Sequence, residues 1–136
     1  MRYLGLDLGS RTLGIAISDP TGLIASSYKT IRHNEEYDKL IGIVKDIVLE
    51  MKIDAIVLGF PKNMNNTIGP KGEVSLKFKE ELELVLDIPV FLQDERLSTK
   101  SATDMLIMGD VSRKNRKKVV DSVAATIILQ SFLDRR

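Results

Sequence analysis

Residues 2–8, Arg-Tyr-Leu-Gly-Leu-Asp-Leu, alternate: Leu4, Leu6 and Leu8 stand against Tyr3, Gly5 and Asp7. A period of two is the signature of a strand. Gly9-Ser10-Arg11 is turn material. Alternation resumes over residues 12–18, with Leu13, Ile15 and Ile17 set against Gly14, Ala16 and Ser18. Asp19-Pro20-Thr21-Gly22 places Pro second and Gly fourth, as a type I turn prefers. A third strand is expected from about Leu23 to Ile31. Three strands joined by short turns make an antiparallel meander.

The period then changes. Tyr37, Leu40, Ile41, Val44, Ile47, Val48 and Met51 recur at helical spacing, which predicts one amphipathic helix. Asp54-Ala-Ile-Val-Leu-Gly59 is continuously apolar, as strands buried on both faces are. Residues 60–72 hold Pro61, Pro70, Gly69, Gly72 and three asparagines, and read as a loop. Val74, Phe78, Leu82 and Val85 trace a second helix, and Pro89–Asp94 a fifth strand. Ser98 is placed to cap a third helix ending at Gly109. Val120, Val123, Ala124, Ile127, Ile128 and Phe132 mark a last helix, with Asp121 in its first turn. The order β-β-β-α-β-α-β-α-α predicts an α/β fold: a mixed five-stranded sheet, a meander followed by βαβ units, with helices on both faces.

Length and composition narrow the function. With 136 residues and about 150 per domain as a guide, residues 1–136 make one domain. Twenty Lys and Arg against nineteen Asp and Glu leave a net charge of +1, so a basic coat is excluded but a local basic patch is not. Without cysteine there is no disulfide, thiolate metal site or thiol nucleophile, and one histidine excludes a multi-histidine metal site. No apolar run is long enough to span a membrane. The N-terminal residues do not read as a signal peptide, so a cytoplasmic location is expected.

Three acidic positions then stand out. Asp7 sits in a core strand on the same side as Gly5 and Gly9, where a bulky ligand could reach it. Its plain alternative is a hydrogen bond to the turn after Gly9. Asp94-Glu95-Arg96 comes at the carboxyl end of the fifth strand, where ligands of βαβ sheets bind, although a surface ion pair with a helix cap would read the same way. Asp121 in a first helical turn has an ordinary explanation, interaction with the helix dipole. It lies just after Arg113-Lys-Asn-Arg-Lys-Lys118, a basic run expected to be mobile when free and to order on phosphates. Carboxylates drawn together from a first strand, a last strand and a last helix would repel unless divalent cations joined them. Mg²⁺ takes such hard oxygen ligands, and a pair of ions hydrolyses phosphodiesters without histidine or cysteine. Gly9–Gly14 lacks the Lys-Ser/Thr of a phosphate loop. Asn63-Met64-Asn65-Asn66 could present amides to a phosphate backbone. His33 has no partner nearby in sequence and reads as a surface residue.

Four segments resemble the YqgF family, also called Holliday-junction-resolvase-like or pre-ribosomal-RNA nucleases. They are Leu6-Asp7-Leu8-Gly9 with Gly14-Ile15-Ala16; Gly59-Phe60-Pro61-Lys62-Asn63-Met64; Asp94-Glu95-Arg96-Leu97-Ser98-Thr99; and Arg116-Lys117 with Asp121, Ala124-Ala125 and Ile128-Leu129. The resemblance runs nearly end to end, and the third segment is the most specific. It implies an RNase H-like fold and a catalytic, metal-binding triad of Asp7, Glu95 and Asp121 holding Mg²⁺ or Mn²⁺, as two ions bound with substrate. It also implies a cytosolic nuclease on structured nucleic acid, acting at the 5′ end of precursor 16S ribosomal RNA. Ribosomal precursor particles are then expected partners, and the chain a monomer or weak homodimer. Arg11, Lys62, Asn63, Arg96, Arg113, Lys114, Arg116, Lys117 and Lys118 are the expected nucleic-acid contacts. In place of the family's Asp-Gly after the Asn-Met pair, this chain has Asn65-Asn66, so no metal-binding role falls on Asn65. Three other readings compete: the same chemistry on branched DNA, a non-catalytic nucleic-acid-binding module, and a nucleotide switch of the sugar-kinase type. The last needs two such halves around its nucleotide, and this chain supplies one.

Overall fold

The computed structural model describes residues 1–9, 11–60, 69–94 and 113–135, with the backbone alone for Lys71, Asp94 and residues 113–122. Tyr3–Leu8 forms β1, Thr12–Ser18 β2 and Ala25–Arg32 β3. Helix α1 follows at Tyr37–Met51, then β4 at Ala55–Phe60, α2 at Pro70–Val85, β5 at Val90–Asp94 and α3 at Arg113–Arg135. The five strands form one sheet in the order β3-β2-β1-β4-β5. β2 runs antiparallel to β1 and β3, while β1, β4 and β5 run parallel. This is the predicted mixed sheet. The helix expected over 98–109 lies outside the described residues.

The sheet separates two cores. Leu4, Leu6, Leu13, Ile15, Ile56 and Leu58 face α1 and α2, which contribute Leu40, Val44, Ile47, Phe78 and Leu82. Tyr3, Ala16, Ala55 and Val57 face α3, which contributes Ala125, Ile128, Leu129 and Leu133. Strands covered on both sides must be apolar on both sides, and β4 is buried at all six positions.

Two boundaries differ from the sequence reading. Pro70 and Gly72 read as loop residues in the sequence, but α2 begins at Pro70, with Gly69 as its N-cap. The fixed φ of proline is already helical, and its missing N–H costs nothing in a first turn. The buried stripe of α2 is Ser75, Phe78 and Leu82, while Val74 and Val85 are 36% and 43% exposed.

The larger correction concerns α3. The basic run does not precede the helix; Arg113–Lys118 forms its opening turns. Arg and Lys are good helix formers, and a helical turn composed of them has no apolar period to read. Asp121 therefore stands eight residues inside the helix rather than in its first turn. The dipole effect fades within that turn, so it no longer accounts for an acid at this position.

The turn into β3 is fixed by Asp19. Its carboxylate accepts the N–H groups of Leu23 and Ile24, both at 2.9 Å, and the Thr21 hydroxyl. The Ile24 amide, the Thr21 hydroxyl and the Leu23 amide hold this carboxyl well below the usual carboxylate range.

Candidate active site

Asp7 lies one residue before the end of β1, half-buried, opposite Gly14 on β2. Its side of the sheet is the α3 side, since Tyr3 and the β4 residues Ala55 and Val57 belong to that core. The β1–β4 pairing runs from Tyr3↔Ala55 to Leu6↔Leu58. One further step sets Gly59 beside Asp7, and Gly59 pairs with Gln93 of β5. Glycine thus flanks the acid on both neighbouring strands, so no adjacent Cβ crowds the carboxylate. In sequence Gly59 read as the end of an apolar strand and as part of a motif, not as a neighbour of Asp7. Its place beside Asp7 depends on a parallel register that local patterning cannot supply.

Helix α3 crosses this face antiparallel to β1. The rings of Tyr3 and Phe132 are 5.8 Å apart, and two residues further along β1 a Cβ on Gly5 would meet Leu129 Cβ at 2.7 Å and the Ala125 carbonyl oxygen at 3.2 Å. Residues 3 and 5 of β1 therefore pair with 132 and then 129 and 125 of α3. The next step reaches residue 7 on the strand and, one helical turn before Ala125, residue 121. Further hydrogen bonds pin this orientation. Gln130 accepts the Ala25 N–H at 2.9 Å, and the hydroxyls of Ser27 and Thr126 are 3.2 Å apart.

The remaining predicted residues divide into two groups. Arg11 is exposed at the rim, where its Nη1 donates to Asn34 Oδ1 at 2.6 Å. Arg113, Lys114, Arg116, Lys117 and Lys118 lie on the N-terminal turns of α3, on the Asp7 side of its contact with Gly5. Lys62, Asn63, Glu95 and Arg96 lie outside the described residues. β5 nevertheless ends at Asp94, opposite Phe60, so Glu95 directly follows the carboxyl end of the strand. Among the described residues, no three His, Asp or Glu side chains gather as a metal cluster.

His33 is not the unpartnered surface residue expected from sequence. It is half-buried, its Nε2 is 2.8 Å from the Gly9 carbonyl oxygen, and its Nδ1 accepts the Glu35 N–H at 3.0 Å. Its ring stands 5.7 Å from that of Tyr37, whose hydroxyl is pushed up by burial and by the Glu35 charge. These partners are far apart in sequence or lie in an irregular connection, which hydrophobic patterning does not describe.

Known proteins extend this picture. The fold matches that of RuvC from Thermus thermophilus solved with a Holliday junction substrate, at a TM-score of 0.62 over 99% of this chain and 95% of the other. The fowlpox virus resolvase in complex with Holliday junction DNA also scores 0.62, over 99% and 98%. Identities of 15% and 14% make these likenesses of fold alone, and that fold is RNase H-like. At the level of sequence, a protein named "Putative pre-16S rRNA nuclease" from Bacillus subtilis is 53% identical over 98% of both chains. One of the same name from Listeria monocytogenes is 51% identical over 98% of both. The family described as "RuvX: Holliday junction resolvase" matches residues 1–135, and this chain belongs to it.

Proposed function

We propose that this chain is a metal-dependent endonuclease in which Asp7, Glu95 and Asp121 form the acidic site, acting in the cytoplasm on the 5′ end of precursor 16S ribosomal RNA. The observation that supports the proposal is the register of α3 on β1, with Phe132 at Tyr3 and Leu129 and Ala125 at Gly5; one further helical turn toward the start of α3 would bring Asp121 level with Asp7. Glycines on both sides of Asp7 fit the same reading, because an ion with its waters and a phosphate needs room beside the carboxylate. The donor set fits as well: carboxylate oxygens suit Mg²⁺ or Mn²⁺ over softer metals. Bound between these acids, a pair of such ions would activate a water and steady the leaving oxygen.

The protein's own part is placement. β1 fixes Asp7, the end of β5 leads into Glu95, and α3 carries Asp121. The basic turns of α3, and the exposed Arg11 in the turn after β1, would supply charges for the backbone phosphates near the scissile bond. The relatives' names support RNA as substrate. The family description, and the junction DNA in the two fold neighbours, favour branched DNA as the second reading. The two differ in groove shape and 2′-hydroxyl contacts, which the acidic site does not sense.

The test is side-by-side cleavage of a precursor 16S leader RNA and a four-way DNA junction. Cleavage is expected with Mg²⁺ or Mn²⁺ and none in excess EDTA. Undiminished cleavage in EDTA would remove metal from the proposal. Metal-independent binding without cleavage of either substrate would leave a binding module.

A second expectation concerns Lys114, Arg116 and Lys117. Their joint replacement by Ala keeps helix propensity. It should weaken nucleic-acid binding about equally across sequences and flatten the slope of log affinity against log salt by about two to three units. An unchanged slope would place the phosphate track around Arg11, Lys62 and Arg96 instead.

A further inference from the structure

We infer that His33 is a positioning residue for the Asp7 site: it locks the turn after β1 and thereby sets how the Asp7 carboxylate is presented. The inference rests on the assignment of Asp7 as a catalytic acid. β1 ends at Leu8, and beyond it the chain turns back through Gly9, Arg11 and Thr12 into β2. Among the described residues, the turn's own tie is the hydrogen bond from Gly9 N–H to the Thr12 carbonyl at 2.8 Å. Three more come from the connection between β3 and α1. His33 N–H donates to the Arg11 carbonyl at 2.9 Å, the His33 ring binds the Gly9 carbonyl at 2.8 Å, and Arg11 Nη1 donates to Asn34 Oδ1 at 2.6 Å.

The direction of the ring bonds follows from their partners. The Glu35 N–H aims at Nδ1, which must accept it, so the ring hydrogen sits on Nε2 and is donated to Gly9. That arrangement uses both nitrogens of a neutral ring. It is held from behind by the Tyr37 ring and by Glu35, whose φ of 60° bends the chain so that its amide meets Nδ1. Thus the residue that follows β3, an edge strand not paired with β1, reaches past β2 to fasten the backbone two residues from Asp7.

A site of this kind needs its groups within about 0.5 Å of the productive geometry, and a misplacement of about 1 Å can cost roughly a hundredfold in rate. The Gly9 carbonyl is the point at which a single side chain outside the acidic triad can exert that control. His33 touches neither substrate nor metal in this scheme; it acts through the turn.

The alternative is that His33 only shapes the entry to α1 through Glu35. Two conservative variants separate the roles. His33→Gln offers an N–H at the Nε2 position and can reach Gly9, but gives up Nδ1. His33→Asn offers an acceptor at the Nδ1 position for Glu35, but falls short of Gly9. The experiment compares wild type, His33→Ala, His33→Asn and His33→Gln in two measurements: steady-state cleavage with Mg²⁺, and amide hydrogen exchange at Gly9 in the metal-free protein. Ala and Asn are expected to lower kcat about ten- to a hundredfold with KM little changed, and to speed Gly9 exchange at least tenfold. Gln is expected to restore most of both. The inference is overturned if either measurement is unmoved by His33→Ala, or if Asn rescues and Gln does not. Failure of the nuclease assignment looks different: wild-type protein would then cleave no substrate at all.

Discussion

Asp7→Asn is expected to abolish metal-dependent cleavage, with a loss of about a thousandfold or more, while the protein stays folded. Asn has nearly the same shape, losing the charge and exchanging one acceptor oxygen for an NH₂ donor, so the packing of β1 between β2 and β4 is preserved. The charge is what a hard cation requires, because Mg²⁺ is held by carboxylates together with substrate phosphate oxygens. Two-ion chemistry loses both the activated water and the support of the leaving oxygen when a carboxylate is removed. Stability should move the other way or not at all. Glycines on the neighbouring strands leave no Cβ that either side chain would press against, and active sites commonly hold groups that the fold would be better without. The measurement is single-turnover cleavage of the preferred substrate beside a thermal unfolding curve. A folded Asp7→Asn protein that retains activity within about tenfold of wild type would refute the assignment of Asp7. A protein that unfolds would show that Asp7 serves the strand rather than the chemistry.

Most of the architecture was legible because burial and periodicity coincide in it. β1 and β2 face two different cores, so their alternation in sequence is an alternation of real environments: Leu4 and Leu6 against Tyr3, Gly5 and Asp7. The helical stripe of α1 is buried at Leu40, Ile41, Val44, Ile47 and Val48, five of the seven positions that the spacing picked out. β4 announced its double burial by being apolar throughout.

The features that escaped share a physical cause: none of them leaves an apolar period in a short window of sequence. The first turns of α3 are built of charged residues whose helical state leaves no hydrophobic trace. Asp121 consequently looked like a helix-dipole partner, and its position inside the helix came only with the structure. Gly59 became a neighbour of Asp7 through parallel pairing between segments about fifty residues apart, which no short window contains. His33 looked unremarkable because its partner Gly9 is 24 residues away and is bound through a carbonyl that every residue possesses. Asp7 could be singled out in sequence because a carboxylate in a core strand is costly without a use. Glu95 and Asp121 were mapped through motif resemblance, since acids at a strand end or in a helix are otherwise common.

Gly5→Ala is expected to be the most damaging small substitution in the sheet, and to damage activity as well as stability. The added methyl would lie 2.7 Å from Leu129 Cβ and 3.2 Å from the Ala125 carbonyl oxygen, both fixed to the helix framework. No rotamer change relieves such a contact, so α3 must lift from the sheet. Overpacking of this sort costs about 1–3 kcal/mol. Relief of glycine's backbone entropy returns roughly 0.5–1 kcal/mol of that. A net loss of about 1 kcal/mol corresponds to a fall in Tm of roughly 3–5 °C for a domain of this size. Leu129→Ala should not rescue it, because alanine keeps the Cβ that makes the closest contact. The displacement falls on the helix that carries Asp121, four residues from Ala125, and on the strand that carries Asp7, two residues from Gly5. Cleavage should therefore fall further than the folded fraction does, by about ten- to a hundredfold at a temperature where the variant is fully folded. Thermal unfolding together with cleavage well below Tm measures both effects. Wild-type stability in Gly5→Ala would mean that α3 does not approach β1 this closely. Lost stability with unchanged activity would mean that the distance between α3 and β1 does not set the catalytic geometry.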